Sequence, residues 1–276
     1  MFFALALLFT MPAFAADQKE PVFDRIIRTG MLRCGYYVFP PFIYRDPNTD
    51  RLSGFTVDMM EEVGKRAGLK TEWMEEHSWS GWTEALKAGR FDVTCAPMWP
   101  DIPASRAVAW STPMFYSAIF PVVRTDDTRF QGDSLEQFNK KGVTLSAPEG
   151  DALVSLTQAW FPEATLHLLP QGTDTGSFGL QLATRKADAL LWDDNGVYQF
   201  NKSSETKIRP VARSTPVKIQ AFSLAVDRNE MVLKAFLDDI IRDLLNDGTM
   251  DRLMRKWEPE PGKTWLRVAS PYKDSP

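Results

Sequence analysis

The sequence predicts an α/β protein of two lobes, each built on a mainly parallel sheet, joined by two crossing segments. Three observations predict it. Strand-like and helix-like stretches alternate from residue 31 to residue 96, the pattern of a mainly parallel sheet. The alternation restarts at residue 142, after an extended apolar run and a polar patch. The chain has 276 residues, and compact domains run to about 100–200 residues, so two lobes suit the length.

Residues 32–37, LRCGYY, read as a strand that stops at Pro40-Pro41. Phe42-Ile43-Tyr44 and the turn Pro47-Asn48-Thr49-Asp50 make a small hairpin or loop. Gly54 opens a helix over residues 55–67, because Phe55, Met59, Val63 and Ala67 recur at helical spacing; Gly68 stops it. Residues 71–74 form a short strand. Ser80 is placed to cap a helix over 81–88, which Gly89 ends. Residues 91–96, FDVTCA, are a buried strand. The extended run 118–123 and the polar patch 124–134 carry the first crossing between lobes.

The second cycle has strands at 142–146, 166–169 and 187–192, and helices at 152–161, 178–186 and 195–200. The second crossing falls near residues 219–222, within a strand over 221–226. A long helix over 230–245 follows, with an apolar face of Val232, Leu233, Phe236, Leu237, Ile240, Ile241, Leu244 and Leu245. Gly248 breaks it before a last helix at 249–257. Lobe one is therefore 22–121 with 221–258, lobe two is 122–220, and 259–276 is a Pro-rich tail.

Residues 1–16 are an apolar run ending in Ala13-Phe14-Ala15-Ala16, the pattern of a cleaved secretory signal. No Lys or Arg precedes the run: either the true start lies further upstream or the amine of Met1 supplies the charge, and a buried N-terminal helix is the alternative to a signal. Net charge is −4 with acids and bases interspersed, which argues against nucleic acid as a partner. The two cysteines, Cys34 and Cys95, lack metal-ligand spacing. A bond between neighbouring parallel strands is geometrically demanding, so two buried thiols are the expected state and a disulfide the alternative. No metal or cofactor is expected.

The residues now quoted resemble the family 3 periplasmic solute-binding proteins, the binding components of polar amino-acid ABC importers. Gly54-Phe55-Thr56-Val57-Asp58 matches that family's opening signature except at Thr56, where an acid is usual. Residues 82–93, WTEALKAGRFDV, resemble its next block, and Trp110-Ser111-Thr112-Pro113 its F-S-x-P-Y block. Lys186-Ala187-Asp188-Ala189-Leu190 resembles the matching block of lobe two. Asn246-Asp247-Gly248-Thr249 with Lys256-Trp257 resembles its C-terminal ending. The resemblance implies a type II periplasmic-binding-protein-like fold and a ligand in the interlobe cleft. It also implies hinge closure, a periplasmic location and docking of a monomer on an inner-membrane ABC permease.

In open α/β sheets ligands bind beyond the carboxyl ends of the strands, which directs attention to Tyr37, Phe39 and Trp99 in lobe one and to Asp151 and Asp193 in lobe two. By motif position Phe39 and Trp79 resemble the family's ligand-stacking residues. Asp193 resembles the acid that holds the α-ammonium, and Asp151 falls where a hydroxyl residue is common. The Arg that usually holds the ligand carboxylate is replaced by Ala104; Arg106, two residues on, is its candidate substitute. Ala96, Pro97 and Trp99 stand where small hydroxyl residues usually help it. A weakened anion side with abundant aromatic and acidic groups points to a ligand with a positive group and a flat or apolar part. An α-amino acid is the family default and a cationic amine the sharper reading. Each residue has a plain alternative: Trp79, Trp82 or Trp99 as core, Asp193 or Asp151 as a helix cap, Arg106 as surface.

No catalytic constellation accompanies these residues. His77 and His167 are far apart, and no G-x-S-x-G, H-E-x-x-H or P-loop is present. A dehydratase-like enzyme on the same scaffold would need a cleft acid with a displaced pKa, for which Glu149 and Asp151 are available. A soluble ligand sensor is the third reading.

Overall fold

The structure is a computed structural model and describes residues 20–77, 81–171 and 173–269. The leader expected at 1–16, Trp79, the Ser80 cap and the end of the C-terminal tail lie outside the described residues.

The described chain opens with α1 (Val22–Thr29) and β1 (Met31–Tyr36). A small hairpin, β2 (Tyr44–Arg45) with β3 (Leu52–Ser53), leads into α2 (Phe55–Ala67). The helix starts where it does because Gly54 holds φ at 131°, and a Cβ there would meet the carbonyl oxygen of Phe42 at 2.3 Å. Only glycine fits such a position. The helix buries Phe55, Met59, Met60 and Val63. Asp58 points instead to the chain's far end, accepting hydrogen bonds from Trp257 Nε1 at 2.6 Å and Lys256 Nζ at 2.7 Å. The first and last motifs of the sequence are thus one contact. Next come β4 (Lys70–Glu76), α3 (Trp82–Lys87), β5 (Val93–Met98), β6 (Val108–Trp110) and the long β7 (Phe115–Arg124).

The second cycle runs β8 (Thr144–Pro148), α4 (Ala152–Trp160), β9 (Thr165–Leu169), α5 (Thr175–Ala183), β10 (Ala189–Trp192), α6 (Asp194–Ser203) and β11 (Ile208–Pro210). The long β12 (Lys218–Asp227) returns the chain to the first lobe, where α7 (Met231–Asn246) and α8 (Thr249–Trp257) complete it.

The main strand order is β4-β1-β5-β12-β7-β10-β8-β9. β1 lies parallel to β4 and β5, and β8 lies parallel to β9 and β10. Each lobe therefore sets its first strand between its second and third, then closes with an antiparallel long strand. β7 and β12 pair with one another from Phe115↔Phe222 to Ile119↔Lys218, and their outer halves join one lobe each. These are the two crossings. The fold is the type II periplasmic-binding-protein-like arrangement of two α/β lobes with mainly parallel sheets.

Two corrections concern pairing at a distance. Cys34 and Cys95 are bonded, not free thiols. Cys34 is registered opposite Val93, so Cys95 lies two residues further along the neighbouring strand and on the same face. The Cα atoms are 5.2 Å apart, within disulfide range. The second correction concerns the tail. Trp265 is buried, with its ring stacked 5.0 Å from both Phe42 and Phe115, and Leu266 exchanges backbone hydrogen bonds with Tyr116 of β7. Glu258 holds this segment by accepting from Arg267 and from the Trp265 N–H.

Candidate functional site

A cavity of about 340 Å³ lies between the lobes. It gathers five residues singled out from the sequence: Tyr37, Phe39, Trp99, Asp151 and Asp193. Lobe one supplies rings. Tyr37 and Phe39, just past the end of β1, stack 5.7 Å apart at 29°. Trp99, just past β5, meets Phe222 of the crossing strand edge to face at 6.0 Å. The Tyr37 hydroxyl donates to the Pro97 carbonyl at 3.3 Å, and burial pushes its phenol pKa well up, so it stays neutral.

Lobe two supplies charge. Asp193 ends β10 and caps α6, accepting from the Gly196 N–H at 2.8 Å and from the Ser117 hydroxyl of β7 at 3.1 Å. Residue 196 is glycine where the Trp192 ring packs against it: a Cβ there would meet that ring at 2.0 Å. Asp193 is 7% exposed, and burial raises its pKa to about 6 against the lowering effect of those two hydrogen bonds. Asp151 caps α4 through the Leu153 N–H at 2.8 Å, and burial raises its pKa as well. Capping and facing the cavity coexist in both residues.

Sequence reasoning missed part of the wall. Phe178 and Trp192, 5.8 Å apart, line the lobe-two side, and Asp174 and Gln171 line it too, beside Glu149, which the sequence offers as a cleft acid. Asp174 was legible as the cap of α5, since it accepts from the Ser177 N–H at 3.0 Å. Trp192 directly precedes Asp193, but whether a ring there faces core or cleft depends on the strand's pleat. A neighbouring hollow of about 600 Å³ shares Phe39, Asp174 and Trp192 with the cavity. It is larger but lacks Asp151 and Asp193, so the chemistry gathers in the smaller space. Beside it the Asn195 amide of α6 donates to the Pro40 carbonyl at 3.4 Å, a direct contact between lobes.

Arg106 does not join the cavity. It ends a short 3₁₀ turn, Ala104–Arg106, and lines a separate surface hollow with Lys87, Asp92 and Arg228. Among the described residues no group of three or more His, Cys, Asp or Glu is placed to hold a metal ion, and no helix is long and apolar enough to cross a membrane.

A family model described as bacterial extracellular solute-binding proteins, family 3, matches residues 32–260. A probable amino-acid ABC transporter-binding protein of Haemophilus influenzae is 24% identical, covering 93% of this chain and 96% of the relative. Cyclohexadienyl dehydratase of Pseudomonas aeruginosa is 26% identical, covering 92% of each chain. Among solved structures, an ancestral amino acid-binding protein, a precursor of cyclohexadienyl dehydratase, superposes with a TM-score of 0.69 at 22% identity, covering 86% of this chain and 99% of that one.

Proposed function

The chain belongs to the bacterial extracellular solute-binding proteins, family 3, and from that premise we propose that it is a periplasmic binding component of an ABC importer. It captures an amino acid or a related small cationic amine between its lobes and delivers it to an inner-membrane permease. The observation that carries this reading is the interlobe cavity, with Asp193 buried at one side and rings from both lobes as walls. A buried carboxylate facing an ammonium makes a strong charge-assisted bond. An aromatic face adds cation–π attraction of about 0.5–2 kcal/mol.

Capture requires lobe motion. Residues 22–121 with 221–258, and the segment to Arg267 packed on them, move as one body and 122–220 as the other, with β7 and β12 bending where they pair. The test is a ligand screen by thermal shift joined to small-angle scattering. A captured solute stabilises the protein as RT ln(1 + [L]/Kd) and reduces its radius of gyration. No stabilisation by any amino acid or amine sinks the reading.

A second reading is an enzyme on this scaffold. It is supported by the dehydratase relative and by Asp193, whose raised pKa of about 6 suits a proton donor. Loss of water from a cyclohexadienyl substrate incubated with the protein, abolished in Asp193→Asn, would favour it over capture.

A further inference from the structure

We infer that the ligand is an amine that carries no carboxylate; this rests on reading the cavity as the capture site. The inference comes from how the cavity treats anions. Three helices of lobe two begin at it: α4, α5 and α6. Helix N-termini are ready-made anion sites, with unpaired N–H groups and a positive dipole end. Each of the three is already occupied by an aspartate of this chain: Asp151 on the Leu153 N–H, Asp174 on the Ser177 N–H and Asp193 on the Gly196 N–H. All three aspartates, and Glu149, line the cavity. The positions that would welcome a ligand carboxylate are therefore filled by negative charge.

Nothing on the other wall reverses this. Among the described residues the cavity lining contains no Lys, Arg or His. The internal stretches outside the description, 78–80 and 172, contain none either. His77 lies behind Tyr37, its ring 5.6 Å from the phenol ring and stacked on Phe91, and does not line the cavity. Lys218 acts on Asp151 from β12 but is exposed, and Asp101 acts on the same carboxyl with opposite sign. A zwitterionic amino acid would bring its carboxylate among four acids with no lining cation to meet it. An amine of the same skeleton brings only the charge the site holds, and its flat or aliphatic body lies between the Tyr37–Phe39 and Phe178–Trp192 rings.

The experiment titrates the full chain by calorimetry at pH 7.5 with three pairs that differ by one carboxylate: tyramine and tyrosine, agmatine and arginine, cadaverine and lysine. The expected result is binding by at least one amine, about tenfold or more tighter than its amino acid. An amino acid that binds as tightly as its amine overturns the inference and leaves solute capture standing. A protein that binds none of the six, in calorimetry and in thermal shift, overturns both. The double variant Asp151→Asn, Asp174→Asn keeps both caps, because Asn caps as well as Asp. It is expected to narrow the amine-to-amino-acid ratio at least about threefold. An unchanged ratio in a folded variant also overturns the inference.

Discussion

The two lobes share one strand order and differ in how their helices begin. In lobe one α2, α3 and α8 start behind glycines, Gly54, Gly81 and Gly248, and α1 and α7 also lack a side-chain cap. In lobe two α4, α5 and α6 each start behind an aspartate whose side chain accepts from the first turn. Because both lobes aim the carboxyl ends of their strands at the same cleft, this one difference divides the labour. Lobe one presents rings without charge and lobe two presents carboxylates. The aspartates stabilise their helices and charge the cavity with the same atoms, so polarity in the cleft arises from ordinary capping.

The comparison can be broken in stages. The largest expected effect is on lobe one's frame. Trp265→Ala should cost about 3–5 kcal/mol, because the ring is fully packed against Phe42, Phe55 and Phe115. Denaturant melts report it, and a loss under about 1 kcal/mol would mean the C-terminal segment is not part of that core.

The next effect is on lobe two's charge. Asp193 binds its proton more tightly in the folded chain than in the unfolded one, since its pKa rises from 3.8 to about 6. This group therefore lowers apo stability above pH 6, and the penalty fades as pH falls toward 4. Capture of a cation needs the ionised form, so affinity should drop about tenfold per pH unit below 6. Asp194 beside it is paired with Arg213 at 2.7 Å, and burial raises the Asp151 pKa as well. Affinity flat from pH 7 to pH 5 would remove Asp193 from the binding event.

Smaller still is the ring contribution. Phe39→Ala should weaken an amine by about 0.5–2 kcal/mol and leave the fold intact, as titration calorimetry would read. Arg106→Ala should leave ligand affinity unchanged, because its side chain serves another surface. A measurable loss in that variant would restore the residue to the site.

The fold was legible wherever local chemistry decides structure. The bounds of α2 and α8 follow from the sequence because glycines bracket their starts and apolar spacing fills them. The sequence placed α5 at residues 178–186, whereas it spans Thr175–Ala183. The Asp174 cap starts the helix earlier, and Arg185 at a φ of 58° lies beyond its end. The crossing strands were only half visible, since their shared stretch is specified by pairing across about a hundred residues of chain. The disulfide ranked second to free thiols for the same reason: its register belongs to the sheet. At the site, acids that end strands were readable, but the second aromatic wall was not, because pleat and helix rotation decide which way Phe178 and Trp192 face. Arg106 was carried by family spacing, and a 3₁₀ turn directs it elsewhere.

The most direct measurement compares Asp193→Asn with the wild-type protein against a bound amine and a neutral isostere of it. The substitution keeps the α6 cap, so both proteins should fold alike. The amine should lose about 30-fold or more in affinity and the isostere little, since only the charged pair is broken. Equal losses for both ligands, or none for either, would contradict a cleft built around a buried negative pole.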